Sequence, residues 1–453
     1  MTRSFLWTGV RLAALCSLLL LTACGGKQIP PRDGIPSPHL GTIRDMRTFP
    51  QDLTVFAQQA GADTPLLDSQ AQAEQDARFN RIFFGPWDMR KTSIRKRDVE
   101  IYFRKAKGYK YGDVRWTQDE WDAMRANAGL KSFPNTAMYG ITVRNADLRE
   151  MPSHTPRFSE PTPDPRINPF DYFQYSLLPV GTPVFIAHTS RDGNWYYVET
   201  PVAAGWVDAN DIGIVDEAFE ASYKTGSYVA VLRDNVPLPG SLAGQVNIGT
   251  VLPLAPSQSD NTRLAVLVPV RNGSRASVVT LTLAHEEAAI KPLPMTPAQV
   301  ALIGNVMMGQ RYGWGGMFGD RDCSALTREL LTPFGIWLPR NSLSQARSGR
   351  RIMLDGMSIK EKEKAILRDG VPFLTLVWLR GHIMLYVGPY KGRPAIFHNV
   401  WGVRTVEGAS DNERFVIGRA VVSSITPGSE LRNLYRATTF GDRVNSITVL
   451  GGR

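Results

Sequence analysis

The chain has 453 residues, 52 Lys and Arg against 42 Asp and Glu for a net charge of +10, and a hydrophobic fraction of 43%. That length suits two to four domains, and the apolar content is that of folded domains rather than a disordered chain. Three cysteines exclude a disulfide framework, and the basic balance fits an anionic polymer, lipid headgroups or plain solubility.

The N-terminus reads as an export signal covering residues 1–23. Arg3 and Arg11 supply charge, and the apolar run Leu12 to Leu21 is too short to span a bilayer. Export argues against nucleic acid as a partner of the basic surface. The sequence Leu21-Thr22-Ala23-Cys24 resembles the lipobox of bacterial lipoproteins. The resemblance implies cleavage before Cys24, acylation of that residue and a stable membrane anchor, since each buried CH2 adds about 0.8 kcal/mol. Gly25, where inner-membrane lipoproteins carry aspartate, implies the periplasmic face of the outer membrane. Cleavage takes Arg3 and Arg11 with it, lowering the charge from +10 to +8. Residues 24–40, with Pro30, Pro31, Pro36 and Pro38, form a tether.

Residues 41–135 predict helices over Gln58–Arg81, Asp98–Lys107 and Thr117–Gly129, the last opened by a Thr117/Glu120 capping box. Phe83, Phe84 and Trp87 are expected to make a small core. Residues 136–215 change to short β runs: Gly140–Arg149, Thr182–Ala187, a turn at Asp192-Gly193, Trp195–Glu199 and Gly205-Trp206-Val207. This layout resembles a bacterial SH3 (SH3b) barrel, interrupted by a long insertion over 161–178. Residues 216–292 repeat the texture, with strand candidates Tyr228–Arg233, Val246–Leu254, Arg263–Pro269 and Ala276–Leu283. A second SH3-like barrel is expected there.

Residues 293–453 read as an α+β unit, helices first and strands after. Thr296–Met308 and Cys323–Leu331 are the helices. Val371–Leu379, His382–Val387, Arg393–Val400, Val403–Val406 and Phe415–Ile425 are the strands.

Apart from Cys16 in the export signal and Cys24 in the lipobox, Cys323 is the one cysteine of the chain. It follows Tyr312-Gly-Trp-Gly-Gly and sits in the first turn of a helix, where unpaired N–H groups are expected to favour a thiolate. The glycines are expected to let backbone approach an incoming carbonyl. His382 and His398 lie on neighbouring predicted strands that could bring both rings towards the cysteine, one as base and one as its orienter. Close-spaced zinc pairs such as Cys-x-x-Cys are absent from the sequence, so no metal or other cofactor is expected.

The ordered motifs Tyr-x-Trp-Gly-Gly, Asp-Cys-Ser, Gly-His-Ile-Met-Leu-Tyr-Val-Gly and a following strand histidine resemble the NlpC/P60 family of papain-like cysteine peptidases over residues 300–410. The whole layout resembles members with an N-terminal stabilising domain and two SH3b domains. The resemblance implies hydrolysis of the γ-D-glutamyl–diamino acid bond in peptidoglycan stem peptides. It implies Cys323 as nucleophile, His382 as base, His398 as third residue and Tyr312 near the oxyanion. Asp322 and Ser324 are implied to hold the free amine of an N-terminal L-alanine, with Asp171, Tyr172 and Gln174 as candidate SH3b contacts. Two departures stand out: a shorter loop before Asp322, and Ala325 in place of glycine. A monomer is expected. A non-catalytic wall-binding scaffold and a thiol acyltransferase are the alternatives.

Overall fold

Helix capping sets the N-terminal region. The computed structural model describes residues 40–162, 168–255, 258–405 and 414–451, so the export segment and Cys24 lie outside the described residues. Asp68 accepts the Ala71 N–H to open the helix Ser69–Phe84, and Thr117 with Glu120 forms both halves of the capping box on Gln118–Ala128. The helix expected over 58–81 is two. Leu53–Gln59 ends before Gly61, whose φ is +79°, and the chain resumes helix only at Ser69. Asp98–Lys107 likewise shortens to Lys96–Glu100 with a 3-10 turn at Ile101–Phe103.

These helices share their cores with other parts of the chain. Phe83, Phe84 and Trp87 pack with Phe219, Tyr223 and Tyr228, and the Trp87 indole donates to the Gly140 carbonyl at 2.8 Å. Leu53 and Phe56 join the core of the last domain. Val99, Phe103 and Trp121 join Phe173, Trp195 and Trp206 of the β region. The apolar face of each short helix is therefore stabilised by tertiary burial rather than by propensity.

In the β region, strands Met138–Thr142, Pro183–Thr189, Trp195–Glu199 and Ala204–Asp208 pair antiparallel in succession. Gly193, at φ +74°, makes the turn between the second and third. The insertion supplies a strand of its own, Gln174–Leu178, paired with Ala146–Arg149. The following β unit has a separate core of Val229, Val231, Leu252, Leu264 and Val266. Its long ribbon, Arg263–Asn272 with Arg275–Ala284, touches the first sheet at Arg275 opposite Ile214.

The C-terminal domain is a six-stranded antiparallel sheet. Its spatial order is Arg350–Met353, Val444–Val449, Thr375–Leu379, His382–Tyr390, Arg393–Arg404 and Arg414–Ser423. The two strands expected over 393–406 are one, with an irregularity between Val400 and Gly402. The first strand starts at Thr375 rather than Val371, because Phe373 adopts a positive φ of 63° after Pro372. Strands 350–353 and 444–449 and the helix Ile359–Asp369 had no expected counterpart. The helix Cys323–Leu331 buries Leu326, Leu330 and Leu331 against the sheet beside Ile383, Leu385 and Phe397.

Candidate active site

Cys323 opens its helix and Asp322 is the N-cap. The backbone N–H of Ile383, the residue that follows His382, favours the charged form of the Cys323 thiol. His382 begins its strand. The register sets Leu385 opposite Phe397, so His382 and His398 are diagonal neighbours on one face of the sheet. His382 Nε2 lies 2.8 Å from His398 Nδ1. Phe440 covers both imidazoles, with ring centroids at 5.3 and 5.9 Å.

The hydrogen bonds beyond His398 fix the protons. Ser423 Oγ donates to the Ser424 carbonyl at 2.8 Å, and a hydroxyl has a single proton to give. Its contact with His398 Nε2 at 3.0 Å must therefore be an acceptance, which places a proton on that nitrogen. His398 Nδ1 is then an acceptor, and His382 Nε2 carries the proton between the rings. His382 Nδ1 is left with the lone pair. Ser423 was not singled out from sequence; a serine on a strand gives no local sign of what it faces.

Burial pushes the Cys323 thiol up to about 12, the Asp322 carboxylate adds to this, and the Ile383 N–H works against it. Burial, with Arg443 nearby, pulls His382 down to about 3. Burial, then the neighbouring His382, lowers His398 well below its ordinary value. Burial thus favours the uncharged forms of the thiol and of both rings. The expected thiolate at the helix N-terminus is disfavoured first by burial and then by Asp322, which takes up the N–H groups of Ser324 and Ala325 at 3.1 and 2.9 Å and sets a negative charge near the sulfur.

Burial alone would raise Asp322, but the Arg340 guanidinium holds it below the usual carboxylate range. Arg340 donates to both carboxylate oxygens at 3.1 and 2.5 Å, to Ser324 Oγ at 2.8 Å and to Ser176 Oγ of the β region at 3.0 Å. Gly315 N–H and Ser324 Oγ also donate to the carboxylate. Asp322 thus accepts from four neutral donors and from two nitrogens of Arg340, and Arg340 ties it to the β region through Ser176.

Gly315 and Gly316 have φ of +63° and +89°, and a Cβ on them would stand 2.5 Å from Gln174 O and Leu177 Cβ respectively. The glycine pair accordingly serves the close approach of the strand Gln174–Leu178, and not only an incoming carbonyl. The other candidates separate. Asp171 and Gln174 are 3% and 2% exposed and accept from Arg149 at 2.9 and 2.7 Å. Tyr172 instead lines an open cleft of about 260 Å³ together with Tyr312, Trp314, Trp401 and His382. Phe170 packs on Tyr312, Trp314 and Trp401 with centroids 5.9, 5.7 and 5.5 Å away. Its place in the aromatic insertion was the only sequence signal for it.

Residues 309–419 match the NlpC/P60 family, residues 13–133 the NLPC_P60 stabilising domain, N term, and residues 156–208 an SH3 domain of the SH3b1 type. Among solved structures, the chain is similar to an NlpC/P60 endopeptidase from Photobacterium damselae subsp. piscicida at 24% identity and a TM-score of 0.77. That match covers 91% of this chain and 98% of the other. An NlpC/P60 family protein from Bacillus cereus ATCC 10987 matches at 17% identity and a TM-score of 0.40, over 60% of this chain and 81% of that one. No curated protein matched the sequence.

Proposed function

We propose, for a chain that belongs to the NlpC/P60 family of cell-wall cysteine peptidases, hydrolysis of the γ-D-glutamyl–L-diamino acid bond of peptidoglycan stem peptides. The observation that carries this is the relay from Ser423 through His398 to His382, which leaves His382 Nδ1 with its lone pair free, on the strand whose next N–H favours the charged form of the Cys323 thiol.

In the mechanism, Cys323 attacks the amide carbonyl as His382 takes the thiol proton, forming a tetrahedral oxyanion. The Cys323 N–H and Tyr312 are its proposed donors. Collapse forms a thioester, and His382 passes its proton to the leaving amine of the diamino acid. His382 then draws a proton from water, which attacks the thioester and releases the γ-D-glutamyl carboxylate and the free thiol. His398 holds the tautomer throughout.

We infer a preference for peptides with a free amino-terminal L-alanine. Its support is the wall at one end of the site, where Gln174 Nε2 meets the Gly315 carbonyl at 3.3 Å and Arg340 meets Ser176. Asp322 and Ser324 act there as one unit with Arg340. We also propose lipidation at Cys24, a periplasmic, outer-membrane location and a monomeric state, on the sequence alone.

Digestion of L-Ala-γ-D-Glu-diaminopimelate, with and without N-acetylation, tests the reading. Release of L-Ala-D-Glu that disappears in Cys323→Ala is expected, and an intact tripeptide after exhaustive incubation overturns it. Equal rates on the acetylated peptide discard the free-amine preference alone. Palmitate labelling lost in Cys24→Ala tests the anchor.

A further inference from the structure

The cleft beside His382 carries a concentration of positive charge that the mechanism above does not use. Arg404 and Arg414 are direct cross-strand partners at the ends of their strands. Like charges placed opposite one another are unfavourable unless something offsets them. Arg443 joins them from the turn before the strand Val444–Val449, and its guanidinium lies below its ordinary range through burial and the charges of Arg404 and Arg414. Arg443 also donates to the Arg380 carbonyl at 3.0 Å. All four arginines line the same cleft as His382. Among the described residues, no ion pair involves Arg380, Arg404 or Arg443. The more deeply set arginines Arg321 and Arg340 are by contrast each paired with a carboxylate.

The position of the cluster says which part of a substrate it meets. His382 must reach the nitrogen of the leaving amine, so the residue that owns that nitrogen lies against His382. Arg380 stands two positions before His382, and the charge of Arg443 is felt by its ring. The cations therefore share a cleft with the ring that hands the leaving amine its proton.

We infer that Arg380, Arg404 and Arg443, with Arg414 beside them, form a carboxylate-binding subsite for the diamino acid. The subsite selects one whose side chain ends in a free carboxylate, as in diaminopimelate, over one ending in an ammonium alone or a carboxamide. The inference rests on the proposed hydrolysis for the identity of the leaving group. The guanidinium fork matches a carboxylate and can bind it through two N–H groups. A lone ammonium entering the same space meets repulsion from every side. The aromatic walls Trp401 and Tyr435 limit competition from water.

Three tripeptides test it: L-Ala-γ-D-Glu followed by meso-diaminopimelate, by its side-chain amide, or by L-lysine. Each is measured twice, by kcat/KM with the full chain and by calorimetric binding to Cys323→Ala. The diaminopimelate peptide is expected to exceed both others by about tenfold or more in each measurement. Raising salt from 0.05 to 0.5 M should narrow the gap. Arg404→Gln and the exposed Arg380→Gln should each reduce the ratio severalfold while the melting temperature holds. Equal kcat/KM and equal affinity for the three peptides overturn the subsite and leave the hydrolysis standing. Tighter binding of the diaminopimelate peptide with no cleavage of any supports the subsite and overturns the hydrolysis.

Discussion

Replacing Ser423 by alanine tests the proton relay at its far end. In the native protein the Ser423 hydroxyl is committed to the Ser424 carbonyl, so it can only accept from His398 Nε2. Ser423 and His398 are both fully buried, at 0% exposure. The alanine variant leaves the His398 Nε2–H without an acceptor, and an unsatisfied buried donor costs about 1–3 kcal/mol. His398 can escape that cost by moving its proton to Nδ1. It then donates to His382 Nε2, whose own proton must shift to Nδ1, the nitrogen required as base. A penalty of about 1.4 kcal/mol on the productive tautomer corresponds to roughly a tenfold fall in its population relative to the other. The expected result is a fall in kcat/KM of about 5- to 100-fold with KM little changed, because the ground-state contacts to substrate are elsewhere. Stopped assays on the diaminopimelate tripeptide read the rate, and urea denaturation reads the accompanying loss of about 1–3 kcal/mol in stability. Nitrogen-15 shifts of the two imidazoles read the tautomers directly. A variant with kcat/KM within twofold of the native value and unchanged imidazole shifts would refute the relay.

Three further outcomes follow from other parts of the structure. The buried imidazoles have folded pKa values depressed from 6.5, His382 to about 3. Below pH 6.5 the unfolded chain binds protons that the native site refuses, so their contribution is intact above pH 6.5 and is lost as pH falls towards 3. The slope is about 1.4 kcal/mol per pH unit for each ring, and the double variant His382→Gln/His398→Gln should flatten the urea midpoint between pH 6.5 and 5. Gly316→Ala puts a Cβ 2.5 Å from Leu177 Cβ in a left-handed conformation. It should cost about 2 kcal/mol or more, with a lowered melting temperature in calorimetry, whereas Gly273→Ala in an open turn pays only the conformational part. Arg321→Met removes a buried cation that donates to Asp234 at 2.7 and 2.8 Å and to Glu329 at 2.6 Å. A loss of about 3–5 kcal/mol is expected, partly restored in Arg321→Met/Asp234→Leu, and additivity of the two single effects in a double-mutant cycle would contradict it.

Cys323, His382 and His398 stand out in sequence because each is embedded in a local pattern: a glycine-rich run before a helix, a period-two strand, and the strand after it. Capping at Thr117 and Thr296 is legible for the same reason, since each bonds to a group three residues on, whereas the Asp68 cap was hidden inside the overlong helix. The helix over 58–81 was overextended because the polar run around Gly61 keeps helical composition without helical dihedrals. Asp171 and Gln174 were expected at the substrate by their place in an insertion, yet each is drawn inward by Arg149, a partner 22 or 25 residues away.

By itself the sequence pointed to one thiol and two imidazoles as candidates and to the helix that carries the cysteine, because these are marked by motifs and caps that span a few residues. Tertiary structure alone decided the surroundings of these groups and the direction of the relay. Burial raises the thiol and lowers the rings, Arg340 couples Asp322 to Ser176, and Ser423 closes the hydrogen-bond chain. Solvation and long-range partners are properties of the packed chain, and one strand's residues carry no record of what faces them.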